Sequence, residues 1–181
     1  MTKLFSRSRL RTNSFKVSVL LATIAIASAA TVYAYVQFSM KQSSTWAVTV
    51  APPREFSIRL EKAEFQSGEL VRMNLTLKNI GNQTFVHRWS PAGFDFDVLD
   101  ANGTVIYTFA DAYFFKAIVH DVTLDPGEEF TVSREWNQTR LITVGGTGFG
   151  EVAVEKGAYQ IVGKLDRWGE MVTPPVAIAI K

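Results

Sequence analysis

From residue 56 onward the chain alternates between apolar and polar positions. Phe56, Ile58 and Leu60 are separated by polar neighbours, and Phe65 closes that first strand before Gly68. Val71, Met73, Leu75 and Leu77 form one face of the next strand, with Arg72, Asn74, Thr76 and Lys78 on the other. Successive side chains of a strand point to opposite faces, so this pattern predicts a half-buried antiparallel strand. Gly81-Asn82 turns it. Phe85, His87 and Trp89 alternate next and stop at Pro91 and Gly93. Phe94, Phe96 and Val98 alternate with Asp95 and Asp97, whose spacing reads as the wet face of a strand. Asp100 to Gly103 then makes a hairpin loop into Val105 and Tyr107. Leu124 to Gly127, with Asp-Pro at its centre, turns into Phe130, Val132 and Trp136, where the register after Val132 predicts a bulge. Tyr159, Ile161, Gly163 and Leu165 make a late strand, 166–170 turns, and Val176, Ile178 and Ile180 end the sheet. No stretch after residue 55 sustains the three-and-four spacing of a helix. About eight short strands in this order predict an all-β domain, an immunoglobulin-like antiparallel β-sandwich over residues 56–181. Two stretches resist the scheme: 111–122 is apolar without a period, and 141–156 is long and glycine-rich, a protruding hairpin or a mobile loop.

The N-terminal third obeys a different rule. Val17 to Met40 contains no charge, and its 24 residues would make about 36 Å of helix, enough to cross roughly 30 Å of hydrocarbon. Tyr33, Tyr35 and Phe38 lie toward its distal end, where aromatic belts are favoured. Lys3, Arg7, Arg9, Arg11 and Lys16 precede it without an acid among them. The positive-inside rule keeps such a flank cytoplasmic. The expected order is therefore a basic cytoplasmic tail (1–16), a single transmembrane signal anchor (17–40), a linker (41–55) and an extracytoplasmic domain (56–181). Within the linker, Thr45 to Val50 alternates and is compatible with a short edge strand. Small residues around Ala29 and Ala34 offer a competing cleaved signal peptide, but the run exceeds the usual core of about 7–15 residues. The stretch from Ile24 to Val36 is also similar to the hydrophobic N-terminus of archaeal type IV pilins, so a pilin-like subunit is a minor alternative.

The charge follows the same division. The formal net charge is +2, but setting the five N-terminal cations aside leaves 14 basic against 17 acidic residues. The domain itself is thus slightly acidic, which argues against nucleic-acid binding. There is no cysteine, so aromatic packing rather than disulfides must hold an exported fold; thirteen Phe and four Trp make that credible. Four of the six asparagines, Asn74, Asn82, Asn102 and Asn137, stand in Asn-x-Thr sequons, all beyond the apolar run. They are candidate glycosylation sites of an extracellular glycoprotein.

Catalytic chemistry finds little support. There is no Gly-x-Ser-x-Gly elbow and no thiol, and the two histidines, His87 and His120, have no neighbouring His or Cys for zinc. Asp95, Asp97, Asp100 and Asn102 lack the glycine and glutamate of a calcium loop. Gly145 to Gly150 lacks the Gly-Lys-Ser/Thr ending of a phosphate loop. The chain is expected to be no enzyme and to need no cofactor or metal.

Five pieces in order carry a family resemblance: LTLKN at 75–79, FDFDVLDANGTVIY at 94–107, LDPGEEF at 124–130, the strand ending in Trp136, and GAYQIVGKL at 157–165. Over roughly residues 56–165 the chain resembles the BsuPI-type domain of intracellular proteinase inhibitors. The resemblance implies an immunoglobulin-like sandwich, no catalytic residues and a proteinase as protein partner. Residues 141–156 look like an insertion relative to that family. Gly157-Ala-Tyr159 has the form of a tyrosine corner. Candidate partner contacts are Gly148 and Phe149 in the glycine-rich loop, and Tyr113, Phe114 and Phe115 in the aperiodic stretch. Two roles remain open: a membrane-anchored binding module of the inhibitor kind, and a structural or adhesive module of the cell envelope.

Overall fold

The computed structural model describes the backbone of residues 44–181 except 114, 116, 117, 145–147 and 167–169, and the side chains of that set except 144, 148 and 149. The basic tail and the apolar run 17–40 lie outside the described residues. Among the described residues no helix is long and apolar enough to cross a membrane.

Ser43–Lys181 forms one compact unit. Its first sheet has the order β1-β2-β4-β9, made of β1 (Trp46–Ala51), β2 (Arg54–Leu60), β4 (Val71–Asn79) and β9 (Glu129–Trp136). The second has the order β3-β14-β12-β6-β7, made of β3 (Glu64–Phe65), β14 (Val176–Ile180), β12 (Gly157–Leu165), β6 (Phe94–Leu99) and β7 (Val105–Thr108). β13 (Met171–Val172) also pairs with β12. Two ribbons stand apart: β5 (Phe85–Trp89) with β8 (His120–Leu124), and β10 (Thr139–Val144) with β11 (Gly148–Ala153). One helical turn, α1 (Phe109–Ala112), follows β7. All pairings are antiparallel except the two-residue contact of β3 with β14.

The core lies between the two large sheets. Phe56 and Ile58 of β2, Leu75 and Leu77 of β4, Phe94, Phe96 and Val98 of β6, and Ile161 and Leu165 of β12 are fully enclosed. Gly163 permits the closest approach of the sheets. A Cβ there would lie 2.9 Å from Leu75 Cδ2 and 3.3 Å from Ile58 Cβ. Asn79 ends β4 as a buried polar knot. Its amide donates to Gln83 O and Leu124 O, and its Oδ1 accepts from Gly81 N, so no buried polar atom of the side chain is left unmet.

Several sequence expectations need correction. Residues 41–55 are not all linker, because Trp46–Ala51 pairs with β2 without a break and Arg54 already opens β2. Phe65 does not close the first strand; it sits in β3, on the opposite sheet. β9 has no bulge, since its pairing with β4 runs unbroken from Lys78↔Glu129 to Val71↔Trp136. Phe130, Val132, Arg134 and Trp136 share its inner face, and an arginine in that row looks like a slipped register in sequence. The aperiodic stretch 111–122 contains the end of α1 and the start of β8 rather than one element.

Candidate functional site

The edge of the second sheet at β7 gathers the features that a contact surface needs. Thr108 ends β7, and its hydroxyl donates to Asp97 rather than capping the helical turn that follows. Asp95, one rung away on β6, does that work instead. Its Oδ1 accepts from Ala110 N at 2.9 Å and from Phe96 N at 2.8 Å. Lys164, directly across from Asp95 on β12, donates to Asp97 Oδ1 at 2.7 Å and lies 3.1 Å from Asp95 Oδ2. Asp95 and Asp97 are therefore not on a wet face. Asp95 is fully buried, because α1 folds over that side of β6. Burial pushes the Asp95 carboxyl above its ordinary range, with Lys164 pulling the other way. Burial works against the Lys164 ammonium too. The bond to Asp97 and the charge of Asp95 outweigh it and hold the amine above its usual value.

Arg134 braces the same turn from the first sheet. Its guanidinium donates to Phe94 O at 2.9 Å and to Pro91 O at 2.6 Å, and lies 4.6 Å from the centre of the Phe109 ring. Burial lowers its pKa, opposed by Asp95. Phe109 stacks on Phe96 at 5.4 Å, and carries Tyr113 at 4.9 Å and Phe115 at 5.5 Å. The result is an aromatic terrace seated on the core. Phe115 is half-buried, Tyr113 is 49% exposed, and Ile118 and Val119 beyond it are exposed as well. Phe114 lies outside the described residues.

The β10–β11 ribbon stands beside β7. The glycine-rich stretch is thus a paired hairpin, with Gly148 opposite Val144 and Phe149 opposite Thr143. Phe149 lies in strand β11, not at a loop tip; its side chain is outside the described set. The root of the hairpin is held firmly. Trp136 is buried against Tyr107 and Tyr159, and its indole N–H donates to Thr139 O at 2.8 Å. Gln138 takes a left-handed φ of 59°. Its side-chain amide locks onto the 66–69 turn, donating to Gln66 O and Glu69 O and accepting from Gly68 N. Glu151 Oε2 accepts from Asn137 and from the Thr139 hydroxyl.

Tyr107 joins the two halves of the site. Its phenol is buried, and that burial, with Tyr113 and Glu151 beside it, holds its pKa well above the usual range. Tyr113 belongs to the terrace and Glu151 to the hairpin. α1 and β10 both pack against β7, so the fold brings the stretch around Tyr113 and the β10–β11 hairpin to one edge. Sequence reading did not single out Gln138, Arg134 or Lys164, which position them. Each is a polar residue at an inward or covered place, and nothing in the chain order marks it as such.

The other candidates are placed as follows. His87 is half-buried, edge-on to Phe94 at 6.1 Å, and desolvation lowers its pKa. His120 is exposed, its ring 5.5 Å from Trp89. Asp100 Oδ1 accepts from Asn102 N and Thr104 N and so serves its own turn. Tyr159 hydroxyl donates to Glu155 O at 2.7 Å, four residues upstream, as a tyrosine corner requires. Asn74, Asn82, Asn102 and Asn137 are all exposed. Among the described residues no group of three or more His, Cys, Asp or Glu is placed to hold a metal.

The described domain is an antiparallel sandwich, and comparison with known proteins gives its family. Residues 58–167 match the BsuPI family, described as intracellular proteinase inhibitor, and the chain belongs to that family. No curated protein matches the chain. Among solved structures, a β-glucosidase of Listeria innocua is similar at 18% identity and a TM-score of 0.42, covering 70% of this chain and 16% of that one. A β-glucosidase of Erythrobacter marinus is similar at 13% identity and a TM-score of 0.43, covering 75% and 15%. A CARDB domain of Pyrococcus furiosus, solved with di-metal ions, is similar at 16% identity and a TM-score of 0.36, covering 68% and 84%. The chain spans about one sixth of the length of the glucosidases it matches. Neither their activity nor the metal ions of the CARDB domain is carried over to this chain.

Proposed function

We propose that this chain is a membrane-anchored, extracytoplasmic member of the inhibitor family, an immunoglobulin-like module that binds a proteinase and catalyses nothing itself. The observation that carries this reading is the convergence of the terrace around Tyr113 and the β10–β11 hairpin on the β7 edge, both fixed from below. A surface held near its bound shape loses little conformational freedom on docking, which favours affinity. Tyr113, with Ile118 and Val119 beyond it, supplies apolar area for a partner's cleft. The anchor rests on the uncharged run 17–40 and its basic flank.

The test is affinity capture from host envelope extract with the full chain, and with a form whose hairpin is cut back to Arg140 and Val152. Capture of a proteinase by the first and not by the second supports the proposal. A folded chain that captures no proteinase sinks it. That result favours an adhesive or structural envelope role, for which the exposure of all four sequon asparagines speaks.

A further inference from the structure

The first sheet carries a second surface, along its open edge. Leu60 N donates to Thr45 O at 2.7 Å, and β1 continues from there in register, Trp46 opposite Arg59 and Ala51 opposite Arg54. Antiparallel pairs alternate between those that exchange hydrogen bonds and those that do not. Thr45, Ala47, Thr49 and Ala51 therefore bond to β2, and the N–H and C=O groups of Trp46, Val48 and Val50 point away from it. Ser44 bears this out at the first position, its hydroxyl donating to Trp46 O at 2.9 Å and lying 3.4 Å from Trp46 N. The same three side chains stand on the outer face, where Trp46 is 51% and Val50 52% exposed. Edge strands of monomers are usually blunted by charge, proline or a bulge. Trp46–Ala51 has no charge, no proline and an unbroken register.

We infer that β1 pairs with β1 of a second copy of this chain, antiparallel, about a two-fold axis through Val48. In that register Val48 meets its own symmetry mate and Trp46 meets Val50 of the other copy. Each outward N–H then faces an outward C=O, with the Ser44 hydroxyl released from Trp46. The flanking charges are complementary in this orientation, though they lie too far apart to do more than avoid repulsion. Arg59 lies beside Trp46 and Glu55 beside Val50. Each outer row of the joined sheet then reads Arg59, Trp46, Val50, Glu55, with opposite charges at the two ends of an apolar pair. Two four-stranded sheets become one of eight, and the interface is isologous as a closed dimer requires. The pairing lies on β1 and does not involve the terrace or the hairpin.

The absence of cysteine makes the test direct. Val48→Cys in the full chain introduces a single thiol. A hydrogen-bonded antiparallel pair sets its Cα atoms about 5.5 Å apart, within reach of a short bismaleimide. Val86→Cys is the collision control, at a position 61% exposed on β5. Paired thiols see a local concentration of millimolar order, so Val48→Cys should yield at least about tenfold more covalent dimer than Val86→Cys when cross-linked in cells. Val48→Lys should keep the far-ultraviolet spectrum of the folded parent and make the chain monomeric by light scattering. Equal cross-linking at both positions, linkage of Val48→Cys to a different protein, or a Val48→Lys variant that still dimerises would each overturn the inference.

Discussion

Lys164→Met removes the cation that lets two carboxylates sit beneath α1. The Lys164 side chain is 15% exposed, Asp97 is 18% and Asp95 is fully buried, so solvent screens the cluster poorly. Methionine keeps most of the apolar stem and loses the charge. Breaking a buried pair by deleting one partner costs about 3–5 kcal/mol, because the remaining charge is left uncompensated. Phe96 and Ala110 amides still serve Asp95, and the Thr108 hydroxyl still serves Asp97, which places the expected loss at the lower end. That is about 3 kcal/mol at pH 7, or a fall of roughly 10 °C in Tm for a unit of this size. The deficit should depend on pH with a definite sign. Asp95 is already raised by burial with Lys164 in place, and loss of Lys164 raises it further. A carboxyl whose folded pKa exceeds its unfolded value binds a proton more readily in the folded state. The variant therefore recovers stability relative to the parent as pH falls through its raised folded value, and the recovery ends once pH is below the parent's own folded value, where Asp95 is protonated in both. Urea unfolding of parent and variant should show a smaller difference at pH 4 than at pH 7. Amide exchange at Ala110 should quicken in the variant at pH 7, because the turn it opens rests on the weakened cluster through its bond to Asp95. A deficit below about 1 kcal/mol at pH 7, or one equal at both pH values, refutes the reasoning.

Three further substitutions test the packing. Gly163→Val drives a branched side chain into Leu75 and Ile58 and should cost about 1–3 kcal/mol or more in urea unfolding, as overpacked cores do. Leu75→Asp should abolish folding, whereas Lys78→Asp, on the outward face of β4 opposite Glu55 and Glu129, should keep the far-ultraviolet spectrum and cost about 1 kcal/mol through like charge; equal damage from both would mean that β4 has the opposite facing. Trp136→Ala should cost about 3–5 kcal/mol. It should also loosen the hairpin root, read as faster amide exchange through β10, because the indole hydrogen bond to Thr139 O is lost with the packing.

The strands that alternate strictly are legible in the chain. β4 buries Val71, Met73, Leu75 and Leu77 and exposes Arg72 and Asn74 because one side of the first sheet meets the core and the other meets water. β12 and β14 follow the same rule. Legibility fails where a second layer covers the outer face. Asp95 alternates like a solvent residue, yet α1 closes over it, and no local pattern announces a helical turn four residues long. It fails again at Arg134, a charge on an inner face made tolerable by carbonyls of Phe94 and Pro91 that are some forty residues away in sequence. β1 was obscured by composition, since Ser, Thr and Pro around it have the character of a linker, although Trp46, Val48 and Val50 do alternate. The two candidate contact segments are visible as the stretches that break the pattern. Their meeting at Tyr107 is not, because it depends on the sheet order, which places β10 next to β7.

The most direct measurement of the central claim is the affinity of the full chain for proteinases recovered with the host envelope, compared with that of Tyr113→Ala. Truncating an exposed aromatic anchor of an interface weakens binding by about 2 kcal/mol, close to thirtyfold. The account predicts that the parent slows cleavage of a peptide substrate by at least one such proteinase. Tyr113→Ala should then show an inhibition constant about thirtyfold higher while the chain remains folded at the assay temperature. Inhibition that is equal in parent and variant would move the contact away from the terrace. No inhibition by a folded parent chain would contradict the account.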